Sequence, residues 1–287
     1  TISTKRPLSL PKVFSDNMIL QREQEVNIFG EAPTGAEITV TFADQTKTTT
    51  AADGRWILQL DPIEASSQGR ELKVTSSFEG AQEEKAYSGV LVGDVYFGSG
   101  QSNMQRVLKD SGVSSVESVP ENFRWFQVSL IDDPALRVES SETINESWYE
   151  VNEANVLNCS AVMYFLTENL RENGVDVPIG VIACSWGGTS IDHWMRMWSY
   201  LDSSDSALQE IETKLINKTV GTNGIHVSDL FNGMTRSVLS YSVKATVWYQ
   251  GESDVSRQYE KLLSNMISDY RQIWDEEMPF FVIQLPG

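Results

Sequence analysis

Cysteine and histidine are almost absent: the 287 residues hold two of each, Cys159 and Cys184, His193 and His226. Two cysteines cannot build a disulfide framework and are too few for a cysteine-rich zinc cluster. No metal or organic cofactor is therefore implied. One bridge between Cys159 and Cys184 and two separate buried thiols are both open, because Cys184 ends an apolar strand-like run and Cys159 opens a helix-like one. Positive charge is also scarce, with 22 Lys and Arg against 40 Asp and Glu and a formal charge of −18. Such a chain repels phosphate backbones and anionic membrane surfaces, so no nucleic acid and no membrane is expected as a partner. Long hydrophobic runs are missing too, since none reaches the roughly 18 residues that span a bilayer. Thr1 opens a polar stretch without a signal-peptide pattern, and a soluble protein is expected. What the chain does have is 40% hydrophobic residues, enough for one large domain or two smaller ones.

Two characters follow each other along the chain. From Asn17 to about Val92, β-rich runs such as Glu37-Ile-Thr-Val-Thr-Phe42, Arg55-Trp-Ile-Leu-Gln-Leu60 and Glu71-Leu-Lys-Val-Thr75 alternate with turn residues. This spacing predicts an antiparallel β-sandwich over residues 1–92, with Asp53-Gly54 as a hairpin turn. Over residues 93–287 short apolar strands alternate with amphipathic helices, the pattern of an α/β domain with a parallel sheet covered on both faces. Strands are expected near Val90–Phe97, Pro178–Cys184, Lys244–Tyr249 and Pro279–Leu285. Helices are expected over Ser160–Asn173, with Gly174 at its C-terminal turn, over Ser228–Ser240, and over Ser256–Trp274. In the last, Tyr259, Leu262, Leu263, Met266, Ile267, Tyr270, Ile273 and Trp274 repeat at i, i+3, i+4, i+7. The polar stretch Val107–Tyr149 reads as loops.

Three polar, glycine-containing clusters follow predicted strands, where open α/β sheets place their ligand crevice. They are Gly98-Ser-Gly-Gln-Ser-Asn103, Cys184-Ser-Trp-Gly-Gly-Thr-Ser190 and Tyr249-Gln-Gly-Glu-Ser-Asp254. A serine in a tight strand-to-loop turn can act as a nucleophile while backbone N–H groups face a developing oxyanion, and Ser102 fits that description best. Alone, a serine among glycines is usually a turn; three clusters at equivalent strand ends are not so readily dismissed. Trp186 and Trp248, beside the second and third clusters, could stack on a sugar ring or fill the core.

Gly100-Gln-Ser-Asn-Met104, Ile179–Ser190 and Val247–Asp254, with the opening Leu10-Pro-Lys-Val-Phe-Ser-Asp-Asn-Met-Ile-Leu-Gln21, resemble the sialate O-acetylesterase family, a branch of the SGNH hydrolases. The resemblance implies a flavodoxin-like three-layer α/β/α domain behind a β-rich N-terminal domain. It also implies removal of O-acetyl groups from sialic acids or related glycans, and a secreted, periplasmic or lysosomal setting. Carried over block by block, Ser102 matches the nucleophile and Gly188 the glycine whose N–H lines the oxyanion hole. Gln250 stands where most SGNH enzymes have asparagine and offers the same amide donors. Asn103 and Glu252 are expected to support the site, Glu252 by orienting a neighbour. The family's Asp-x-x-His block has no counterpart, because Ser190 lies three residues before His193 and Asn223 three before His226. Asp192 directly precedes His193, but adjacent residues point in different directions. The base is thus expected beyond Gly287 or on a C-terminal fragment that completes the domain. The resemblance leaves two other functions to weigh, deacetylation of xylan or another plant polysaccharide, and a non-catalytic carbohydrate-binding protein.

Overall fold

The computed structural model describes residues 7–132, 145–221, 224–254, 258–274 and 277–285. Its first half is built from strands β1 (Ile19–Gln21), β2 (Val26–Glu31), β3 (Glu37–Phe42), β4 (Gln45–Thr50), β5 (Arg55–Leu60) and β6 (Ser66–Phe78). A twenty-residue strand, β7 (Ala81–Gly100), follows. Strands β4, β3, β6 and β7 form an antiparallel sheet in that order, β1 adds to β7 in parallel, and β2 and β5 pair separately. Alternation explains the layering: β3 and β5 bury every second residue, Ile38, Val40 and Phe42 from one and Trp56, Leu58 and Leu60 from the other. The Asp53-Gly54 turn is present, both residues having positive φ, with Ala52 and Arg55 exchanging backbone hydrogen bonds of 2.8 and 3.0 Å.

Beyond β7 come helix α1 (Ser102–Gln105), strands β8 (Phe123–Gln127) and β9 (Trp148–Glu150), helix α2 (Ala161–Glu172) and strand β10 (Ile179–Ser185). Helices α3 (Ser206–Ile216) and α4 (Asp229–Gly233), strand β11 (Ala245–Tyr249), helix α5 (Tyr259–Trp274) and strand β12 (Phe280–Val282) complete the order. The second half of β7 is the middle of a sheet ordered β12-β11-β7-β10-β8-β9, in which every pair is parallel except β8 with β9. β7 therefore serves both sheets, pairing with β1 as far as Gly93 and with β10 from Asp94 onward.

Period-two side chains of the central sheet enter two cores. Val95, Phe97, Ile182 and Trp248 face one side, and Tyr96, Val181, Ala183 and Val247 the other. Met163 and Tyr164 of α2 cover the second side, while Leu262, Met266, Tyr270 and Trp274 of α5 cover the first, one residue per turn. The first core also takes in Ile28, Val40 and Leu72, so packing is continuous across residue 92.

Helix α2 begins where the sequence suggests, with Ser160 Oγ accepting from Met163 N–H at 3.4 Å, and Gly174 ends it at φ +86°. Three expectations need correction. The stretch Val107–Tyr149 is not all loop, since Phe123–Gln127 forms β8 beside β10; residues 133–144 lie outside the described ones. The helix expected over Ser228–Ser240 is interrupted at Met234, whose φ of −123° and ψ of −68° separate α4 from a short 3-10 turn over Thr235–Ser237. Helix α3 was not anticipated at all. The expected start of the last helix, Ser256, lies outside the described residues. Among the described residues no helix is long and apolar enough to cross a membrane, and no group of three or more His, Cys, Asp or Glu could hold a metal ion.

Candidate active site

Register assembles the site. In the parallel sheet Gly100 lies level with Ser185 of β10 on one side and Tyr249 of β11 on the other. The three clusters therefore leave the sheet at the same edge and height. Backbone bonds stitch the exits together: Gln101 N–H donates to Tyr249 O at 3.0 Å, and Trp186 N–H to Gly100 O at 3.1 Å. Gly100 is required by this approach, because its φ is +141° and a β-carbon would stand 2.1 Å from Tyr249 O.

The chain then turns into α1, and its first residue, Ser102, is exposed to solvent. Gly187 packs against it, the place of a β-carbon on Gly187 being 3.2 Å from Ser102 Cβ. Gly187 N–H donates to Gln105 Oε1 at 2.8 Å, which fixes the second cluster against α1. Gly188, the expected oxyanion glycine, follows at φ +73°. Asn103 and Glu252 meet, the Asn103 amide donating to Glu252 Oε1.

Gln250 is the hub between the clusters, and it is 2% exposed. Its Nε2 faces three acceptors: Thr189 O at 3.0 Å, Gln101 Oε1 at 3.2 Å, and Asp254 Oδ2. An amide has only two protons, so Thr189 and Gln101 divide one between them. Its Oε1 is buried with no hydrogen-bond partner among the described residues. Asp254 Oδ2 also accepts Ile191 N–H at 2.9 Å, joining the third cluster to the loop after the second. Burial pushes the Asp254 carboxyl above its ordinary pKa, against the hydrogen bonds from Gln250 and Ile191. A small cleft opens beside Asp254, and Asp192, Glu210 and Lys214 also line it. There Lys214 Nζ donates to Asp192 Oδ2 at 3.1 Å, and Ser190 Oγ donates to Asp192 Oδ1.

Neither histidine joins this group. His193 is 1% exposed, its Nε2 stands 3.9 Å from Asp192 Oδ1, beyond hydrogen-bond length, and Gly221 closes over that nitrogen. Burial lowers its pKa, and Nδ1 has no hydrogen-bond partner among the described residues. His226 Nδ1 lies 3.3 Å from Thr219 O. Among the described residues no hydrogen bond links either ring to Ser102. Trp248 is a core residue, buried edge-to-face on Trp194 with its indole N–H donating to Tyr259 OH at 3.0 Å. Cys159 and Cys184 are both buried and form no disulfide, and burial raises the Cys159 thiol to about 12. Sequence reading passed over Gln101, Gln105 and Thr189, whose role as hydrogen-bond frame emerges only when the strands are aligned.

Fold and site together define a mixed α/β protein that carries an exposed serine on the turn from its central parallel strand into a helix. The description of the carbohydrate esterase, sialic acid-specific acetylesterase family matches residues 92–287, and the chain belongs to that family. It is similar to the sialate O-acetylesterase of Mus musculus, at 26% identity over 322 residues, covering 95% of this chain and 59% of the mouse protein. The Homo sapiens sialate O-acetylesterase is 26% identical over 303 residues, covering 94% and 56%. A crystal structure of a carbohydrate acetylesterase from Xanthomonas citri superposes with a TM-score of 0.75 at 26% identity, over 97% of this chain and 60% of that one. The chain thus spans less than two thirds of the length of these relatives.

Proposed function

We propose that the whole protein is a serine esterase that removes O-acetyl groups from sialic acids or related glycans, with Ser102 as nucleophile. The observation that carries this reading is the exposed Ser102, held on the turn out of β7 against Gly187, at the edge where all three clusters converge. Family membership and the sialate O-acetylesterase and carbohydrate acetylesterase relatives support it.

In this reading Ser102 Oγ attacks the acetyl carbonyl carbon as its proton passes to a base. The C–O bond to the sugar then breaks, and the sugar leaves as its alcohol with that proton. Water repeats the attack on the acetyl-serine and releases acetate. Ser102 N–H, Gly188 N–H and the Gln250 amide stabilise the oxyanion of both tetrahedral intermediates, while Asn103 and Glu252 support the turn. For Gln250 this means giving the oxyanion the proton that Thr189 and Gln101 now divide. His193 and His226 are placed elsewhere, so the base comes from a further segment of the whole protein. The finer architecture belongs to the same reading: an SGNH-type α/β/α domain over residues 93–287 behind a β-sandwich over 1–92, in a secreted, periplasmic or lysosomal setting.

Acetate release by the full-length protein from O-acetylated sialic acid and from acetylated xylan tests the substrate. Faster release from the sialic acid is expected; release from xylan alone would overturn the choice of glycan.

A further inference from the structure

We infer that Asp254 is a positioning residue for the esterase reaction, acting through Gln250. This rests on the reading above, in which Gln250 stabilises the oxyanion.

Every glutamine side chain can be placed in two ways. The two ends of the amide have nearly the same shape, so hydrogen-bond partners alone decide which end faces which way. Around Gln250 those partners are a carboxylate oxygen of Asp254, the Thr189 carbonyl and the Gln101 side-chain carbonyl, all acceptors. With the amide reversed, its oxygen would face all three, one of them charged. The hydrogen bond to an ionised acceptor is the strongest of the set, so Asp254 is the partner that fixes the NH₂ end toward the Ser102 turn.

The carboxylate also divides the two protons. One is committed to Asp254. The other is shared between acceptors at 3.0 and 3.2 Å, the weaker arrangement, and is the one an oxyanion beside Ser102 would claim. Asp254 Oδ2 additionally holds Ile191 N–H, so the same oxygen ties the amide to the loop that follows Gly187 and Gly188. The carboxylate is itself half-buried, with Asp192, Lys214 and Glu210 on the cleft side. Among the described residues Asp254 is the only charged hydrogen-bond partner of Gln250.

Steady-state kinetics of the full-length protein on a small acetyl ester test the inference through a double-mutant cycle. Asp254→Ala is expected to lower kcat with KM within about twofold, by less than the about 10²–10³-fold expected for deleting the Gln250 donor itself. Asp254→Asn keeps an accepting oxygen and should recover most of the loss. In the Gln250→Ala background Asp254→Ala should cost nothing further, because the group it positions is gone. Wild-type kcat in Asp254→Ala, or losses that multiply in the double variant, would overturn the inference. If Asp254→Ala does not fold, Asp254→Ser, too short to reach the amide, carries the same cycle. A Ser102→Ala protein that still turned over would instead remove the esterase reading, a failure separable from that of Asp254.

Discussion

At Gly100 the chain has no room for a side chain, and this fixes the first prediction at the scale of a residue. Alanine there meets both a left-handed backbone angle and the Tyr249 carbonyl at 2.1 Å. Gly100→Ala should destabilise the protein by more than about 1 kcal/mol, as such substitutions do at incompatible backbone angles. The denaturant midpoint should fall; an unchanged midpoint would contradict the close approach of β7 and β11. Two residues later the consequence is chemical. Ser102→Ala should abolish hydrolysis of acetyl esters while leaving the melting temperature near that of wild type, because the side chain is exposed. For Gln250→Ala, a fall in kcat with KM nearly unchanged is expected of a group that acts mainly on the transition state. A rise in KM alone would assign Gln250 to ground-state binding. Ser102 could be nominated from local pattern because it sits in a tight, glycine-containing strand-end cluster, whereas Gly188 and Gln250 enter only through the family resemblance. The bond from Asp254 to Ile191 could not be nominated either way, since it joins residues 63 positions apart and depends on strand register.

Among the elements, β7 carries the heaviest structural duty, and Asp94 marks the point where it passes from one sheet to the other. Asp94 is 1% exposed and accepts from Arg22 Nε at 2.9 Å and Lys244 Nζ at 3.0 Å, which ties β1 and the entry to β11 to the same strand. Burial alone would raise its pKa, but the Arg22 and Lys244 hydrogen bonds outweigh that and hold it below the ordinary 3.8. A depressed carboxylate stabilises the fold above the unfolded pKa, and that contribution is lost as pH falls through the folded value. Stability should therefore drop in a window below about pH 4, and Asp94→Asn should lack this part of the acid transition. At neutral pH the same substitution should cost about 1.5–3 kcal/mol, the usual worth of hydrogen bonds to a charged group. Parallel stability–pH curves for the two proteins would contradict the assignment.

The elements also show why parts of the fold were legible and others not. Helix α5 announces itself because Leu262, Met266, Tyr270 and Trp274 repeat every turn. Strand β8 is five residues inside a polar stretch, and only pairing with β10 makes Phe123-Arg-Trp-Phe-Gln127 a strand. Helix α4 ends at Gly233, where Met234 takes a non-helical backbone angle that no local hydrophobic period marks.

At the scale of the molecule, the formal charge of −18 on these 287 residues should act on encounter with the proposed substrate. Sialic acids carry a carboxylate, so a negative protein repels them at long range, and salt screens that repulsion. Raising ionic strength should lower KM for an O-acetylated sialic acid and leave KM for a neutral acetyl ester unchanged. Equal responses would show that the net charge plays no part. Whether the strand-end serine is the nucleophile can be read by treating the full-length protein with a fluorophosphonate and locating the adduct by peptide mass spectrometry. A single adduct on Ser102 is expected, together with loss of esterase activity. Activity lost through an adduct at any other residue, with Ser102 unmodified, would contradict that role.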